Sequence, residues 1–198
     1  GLFFLVAVFV AVSLADSGWA AEDRKKPDSI SLQVENDLFG DGSDRHYTQG
    51  MRVSWQPSPD SALDWVRRRT LDGARWLTGV DGKDDFTFVF AVGQNMYTPE
   101  DISASTPDPN DRPYAGWLYF SAGAVAEDSR RNLLHNVALD IGVVGPLSLA
   151  GPTQTMWHEL IGSQEPRGWD HQLDNEPGVA LNYAVSWRYP LVDAPSWL

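Results

Sequence analysis

Cysteine is absent from the 198 residues. That removes disulfides, thiol nucleophiles and zinc–thiolate centres together, and leaves packing and backbone pairing to hold the fold. Basic residues are few: 15 Lys and Arg stand against 27 Asp and Glu, a formal net charge of −12. A phosphate-binding surface needs clustered cations, so no nucleic-acid partner is expected. Divalent cations suit this balance better, and simple solubility explains it equally well. After the first 20 residues, no apolar run is long enough for a transmembrane helix.

The chain opens with an apolar stretch from Leu2 to Leu14, and Gly18-Trp19-Ala20 supplies the small residues of a signal-peptidase site. Residues 1–20 therefore read as a secretory signal. The stretch is too short for a spanning helix and has neither an initiator Met nor a basic front, so its start reads as clipped and export as its fate. Nine Trp, six Tyr and eight Phe are many for this length. Membrane barrels use such residues as interfacial girdles, and soluble β-sandwiches are also rich in them.

Alternation is more informative. Ile30, Leu32 and Val34 fall on one side of a strand and Ser31, Gln33 and Glu35 on the other. A second strand sets Tyr47, Met51, Val53 and Trp55 against Thr48, Gly50, Arg52, Ser54 and Gln56. Phe86, Phe88, Phe90 and Val92 continue the pattern, 114–125 and 136–144 read as a fourth and fifth strand, and Val179, Leu181, Tyr183, Val185, Trp187 and Tyr189 line a sixth. Some approach the ~9–11 residues that cross a bilayer when tilted, which favours an all-β, antiparallel transmembrane barrel over a sandwich. Six strands cannot close one, because known bacterial barrels use at least about eight and lipid tolerates no open edge. The chain is therefore expected to hold the N-terminal portion, 28–198, with the C-terminal strands missing, and not to insert in a membrane alone.

The connections are asymmetric. The turn around Glu127-Asp128-Ser129-Arg130 is short, whereas 98–113 and 146–178 are long and rich in Pro, Gly, Asp and Asn, as in outer-membrane barrels. The segment 58–83 mixes Leu63, Trp65, Val66 and Trp76 with Arg67, Arg68, Arg69 and Arg75, and reads as an amphipathic helical excursion, either meeting anionic headgroups or simply solvated.

Two clusters carry chemistry. Glu35-Asn36-Asp37 ends one strand and Asp44 to Gly50 opens the next, gathering carboxylate, amide, hydroxyl and imidazole groups. In the last long loop, Gln154 and His158 are four apart and project from one face of a helix that Gly162 would stop. On residue types alone, an Asx-turn at Asn36-Asp37, a strand-start hydroxyl at Thr48 and a structural imidazole at His158 are the better readings.

These clusters, in order with Gln94-Asn95-Met96-Tyr97-Thr98-Pro99, Asp111-Arg112-Pro113-Tyr114-Ala115-Gly116, Gly145-Pro146-Leu147-Ser148 and Gly168-Trp169-Asp170-His171-Gln172-Leu173, resemble the lipid A deacylases of the LpxR type from about Ile30 to Arg188. The resemblance implies a twelve-stranded barrel in the bacterial outer membrane, of which this chain holds roughly the first half. It implies a carboxylic ester hydrolase that cuts the 3′-linked acyloxyacyl ester of lipid A and depends on Ca²⁺, with lipid A or lipopolysaccharide as partner and no protein partner. Carried over, His158 is the catalytic histidine, Asn36 and Asp37 the active-site pair, and Thr48 the hydroxyl position. Gln154 and Ser148 become substrate-binding candidates, and Asp37 and Glu165 metal candidates. Two departures stand out: residues 101–110 hold no Lys or Arg where the family has a basic residue, and Gln164 aligns with a family glutamate, with Glu165 next to it.

Two other readings remain at this stage. An outer-membrane phospholipase-type esterase would need a serine nucleophile, yet no Ser follows His46 and Gly-Pro-Leu-Ser148 is not a nucleophile elbow. A non-catalytic pore or scaffold would need no convergence of these residues at all.

Overall fold

The computed structural model describes residues 7–12, 28–36, 49–58, 72–80, 86–128 and 130–187. Its strands are β1 (Ala7–Val12), β2 (Ser29–Asn36), β3 (Gln49–Gln56), β4 (Phe86–Tyr97), β5 (Ala115–Asp128), β6 (Leu133–Val144) and β7 (Glu176–Trp187). Each pairs antiparallel with its neighbour in the chain, giving one seven-stranded meander. The six alternating segments read from the sequence are β2 to β7. The additional strand, β1, comes from the apolar stretch read as a signal, and pairs with β2 from Val12 opposite Ile30 to Ala7 opposite Glu35.

Residues directly opposite in an antiparallel pair share a face, so the register sorts the sheet into rows. One row runs Leu32, Val53, Val92, Phe120, Ile141, Val179. Val53, Val92, Phe120 and Ile141 are 51, 54, 51 and 54 % exposed. Fully burying such a side chain is worth about 1.5–3 kcal/mol, so a contiguous belt left half open in water would forfeit roughly half of that at each position, and this face is built for hydrocarbon. The next row on the other face runs Gln33, Arg52, Gly93, Tyr119, Gly142. That face is concave and polar. It encloses about 610 Å³ lined by Gln33, Glu35, Arg52, Asn95, Tyr119 and Asn182, among others. Arg52 Nη2 donates to Ser121 Oγ at 3.2 Å, and Asn182 Nδ2 to Asp140 Oδ2 at 2.7 Å. An apolar outer face, a wet inner one and 12-residue strands at β4, β6 and β7 make a section of transmembrane barrel wall. At about 3.3 Å per residue and a tilt of about 40°, such strands rise about 30 Å, the thickness of the bilayer core.

Strands β5 and β6 run about three residues further toward their turn than alternation suggests. Glu127 and Asp128 stay paired with Leu134 and Leu133, because the Asp128 carboxylate accepts from the Arg130 and Arg131 amides at 3.1 and 3.2 Å and shapes the turn itself. At the same end, residues 72–78 form helix α1. It ends at Gly79, whose φ of 69° suits a residue without a Cβ. Ala74 and Val80 bury against Phe86, Phe88, Ala124 and Ala126. Those rows belong to the apolar face, so α1 lies outside the wall, with Trp76 86 % exposed. The arginines at 67–69 lie outside the described residues.

Phe120→Arg, at mid-wall on the apolar face, is expected to cost the full-length protein about 2–4 kcal/mol of membrane stability. Ala184→Arg, on the inner face, is expected to leave it nearly unchanged. Urea unfolding in vesicles, followed by heat-modifiable gel migration, measures both.

Candidate active site

The long connections, 98–114 and 145–175, meet at the end of the wall opposite the short turn. Gly145 opens a single turn at Pro146–Ser148, followed by helix α2 (Ala150–Ile161). Gly162, in the left-handed region at φ 67°, closes α2 where the spacing placed its stop.

What seats α2 is a gap in the wall. Gly116 belongs to the row Asn36, Gln49, Met96, Gly116, which lies on the apolar face. A Cβ there would come within 2.0 Å of Ser148 Oγ and 2.3 Å of Ala150 Cβ. The helix thus packs on the outer side of the wall rather than dropping into the lumen. Gln94 Nε2, on the same face, donates to the Ser148 carbonyl at 2.6 Å. Beneath α2, Met96, Ile102, Tyr114, Ala150 and Trp169 form a core of their own. The Tyr114 and Trp169 rings lie 4.9 Å apart, and Tyr114 Oη donates to the Ile102 carbonyl at 3.1 Å. Leu147, Leu149, Met156, Leu160 and Ile161 stay exposed, giving the other side of this unit an apolar surface continuous in character with the belt below.

Gln154 and His158 point inward from α2 and are buried, at 0 and 6 % exposure. His158 Nδ1 lies 2.5 Å from the Gln164 carbonyl oxygen. A carbonyl only accepts, so Nδ1 carries the proton and a neutral ring keeps its lone pair on Nε2. Gln154 Oε1 accepts from the Trp169 indole at 2.7 Å. The Gln154 amide nitrogen has no hydrogen-bond partner among the described residues.

The other expected site residues fall as follows. Asn36 ends β2, paired with Gln49 at the start of β3, and its side chain lies outside the described residues. Asp37 and Thr48 lie outside the described residues. Ser148 is fully buried, its hydroxyl set against Gly116, which serves the seating of α2. Glu165 is exposed and holds only Arg167 Nε at 3.4 Å. Among the described residues no three His, Asp or Glu side chains converge on a metal position. The oxygen donors near the site, Glu165 and main-chain carbonyls, are the hard type that calcium takes. In the 98–114 loop, the Ser103 hydroxyl and amide hold the Asp101 carboxyl below its ordinary range. Tyr114, Trp169 and Gly116 carried no role in the sequence reading. The signal was present: a glycine in an apolar row and an aromatic in each of the two long loops.

A wall apolar outside and polar within, with a loop helix seated on its outer side, is that of an outer-membrane barrel. The chain belongs to the LpxR family: the family model described as outer membrane protein LpxR matches residues 2–197. Among solved structures, LpxR from Salmonella typhimurium superimposes with a TM-score of 0.58 at 19 % identity, over 79 % of this chain and 50 % of that one. This chain thus spans about half that protein's length, and at this identity the likeness is one of fold. No match to a curated protein sequence was found.

Two outcomes are expected here. In the full-length protein, Gly116→Val lifts α2 from the wall, so that limited proteolysis cuts 162–168 faster while the barrel stays heat-modifiable. Asp101, whose folded value is depressed, keeps its hydrogen bonds at and above the ordinary carboxylate range and loses them only as pH falls through the lower folded value. Carbon-detected NMR titration in detergent reads that midpoint, and Ser103→Ala moves it upward.

Proposed function

We propose that the complete protein is an outer-membrane lipid A 3′-O-deacylase, a carboxylic ester hydrolase that releases the 3′-linked acyloxyacyl group of lipid A, with His158 as general base. One observation carries this reading: a buried imidazole, with Nδ1 committed to a main-chain carbonyl and Nε2 left as a lone-pair acceptor, on the hydrocarbon side of a membrane wall. A lipid ester reaches such a position while its acyl chains remain in the bilayer, and the exposed apolar side of α2 supports that approach.

In this reading His158 Nε2 takes a proton from water as its oxygen attacks the ester carbonyl carbon. The protonated ring then returns that proton to the sugar oxygen as the carbon–oxygen bond breaks, leaving a sugar hydroxyl and a free fatty acid. The Gln164 carbonyl steadies the ring in the charged state, the part that a carboxylate plays in serine hydrolases. Asn36 is the candidate donor to the carbonyl oxygen, and Thr48 the candidate hydroxyl that orients water or ester. Losing one such donor typically costs about 10²–10³ in rate. Ca²⁺, with Asp37 and Glu165 as proposed oxygen ligands, would supply positive charge for the developing oxyanion. Against the serine-nucleophile alternative, the Ser148 hydroxyl meets Gly116 and its hydrogen-bond contact is the Ala150 amide at 3.4 Å, with no imidazole beside it among the contacts described. Convergence of buried Gln154 and His158 on one side of α2 counts against a bare pore.

Mass spectrometry of lipid A from cells producing the complete protein tests the proposal. The 3′-deacylated species is expected with wild type and is expected to disappear with His158→Ala, with His158→Gln and on calcium chelation, while each variant stays heat-modifiable. Retained deacylation by His158→Ala would overturn the assignment of the base.

A further inference from the structure

We infer that Trp169 is a positioning residue that turns the Gln154 amide so that its nitrogen serves as a donor to the ester carbonyl of the substrate. The inference rests on the deacylase reading above and extends it to a residue that touches no reacting atom.

The argument starts from the indole. A tryptophan ring nitrogen can only donate a hydrogen bond, so the atom it meets on Gln154 at 2.7 Å must be the amide oxygen. The amide plane is thereby fixed, and the NH₂ group points the other way. Gln154 is 0 % exposed and that nitrogen has no hydrogen-bond partner among the described residues. Leaving a buried NH₂ without an acceptor typically costs about 1–3 kcal/mol, a cost that a folded chain tolerates where the donor is reserved for a ligand. Gln154 sits one helical turn before His158 on the same inward side of α2, so the reserved donor and the proposed base share one helix face. The acceptor that chemistry brings there is a carbonyl oxygen whose charge grows as water adds, and a preset donor stabilises that charge.

Trp169 is itself held against turning. Its ring packs on Tyr114 at 4.9 Å and fills the space over Gly151, where an added Cβ would come within 3.1 Å of the ring. Gly168, before it, lies so close to the Tyr114 ring that a Cβ would come within 2.3 Å. The indole therefore donates along one direction, and the amide inherits it.

Trp169→Phe removes the donor and keeps the aromatic packing on Tyr114, so it separates positioning from folding. In the full-length protein in lipid A-containing micelles, kcat is expected to fall about 10- to 100-fold with KM changed less than threefold. Combined with Gln154→Ala, the second change is expected to add nothing, because Trp169 acts only through Gln154. Unchanged kcat in Trp169→Phe would overturn the inference, and so would losses that multiply in the double variant. His158→Ala, run in parallel, tells the two levels apart. If it is inactive while Trp169→Phe is fully active, the base stands and the positioning role falls. If wild type releases no acyl group, both fall.

Discussion

The two faces of a backbone-paired sheet cannot be exchanged without moving every side chain on it, and the rest of this molecule follows from that constraint. Leu32, Val53, Val92, Phe120 and Ile141 share a row and are left open, while Gln33, Arg52 and Tyr119 lie on the opposite face around a polar concavity. Once the faces are assigned, Gly116 lies on the hydrocarbon side, and with it the helix that carries Gln154 and His158. Where His158 sits relative to the wall is thus decided by strand register, several residues away from it.

The helix unit then behaves as a small second core attached to the wall. Met96, Tyr114, Ala150 and Trp169 pack between the two long loops, and each polar group they carry has a directed partner: Tyr114 on the Ile102 carbonyl, Trp169 on Gln154. The His158 ring is held by a main-chain carbonyl instead of a carboxylate. That choice fixes the tautomer without adding a second charge to a buried site, which matters in surroundings of low dielectric.

Much of the wall was legible from period two alone, because β2, β3, β4 and β7 place chiefly apolar residues on one face and chiefly small or polar ones on the other. The helix was legible as well, through the four-residue spacing of Gln154 and His158 and through Gly162. Strand β1 was not, since a short apolar stretch serves equally as an export signal or as an edge strand, and periodicity does not separate them. Nor was the seating of α2. Alternation says which residues share a face, not that a loop thirty residues later folds back onto it, and the only local trace is a glycine at position 116 in a row otherwise filled by larger residues. The packing of Tyr114 on Trp169 depends on two loops meeting, which no local pattern encodes. The contact of Ser148 with Gly116 depends on the same long-range meeting.

The placement of His158 on the lipid side of the wall is tested most directly by spin-label accessibility, since these 198 residues hold no cysteine of their own to take up the label. Single labels at Val92, Phe120 and Met156, and at Asn136 and Asn182, would be introduced into the full-length protein in bilayers and relaxed by lipid-soluble oxygen or by a water-soluble nickel chelate. Oxygen should dominate at Val92 and Phe120, and also, at shallower depth, at Met156 on α2, while nickel should dominate at Asn136 and Asn182. Nickel-dominated relaxation at Val92 and Met156 would put the helix and its histidine on the aqueous side and contradict the lipid-facing site.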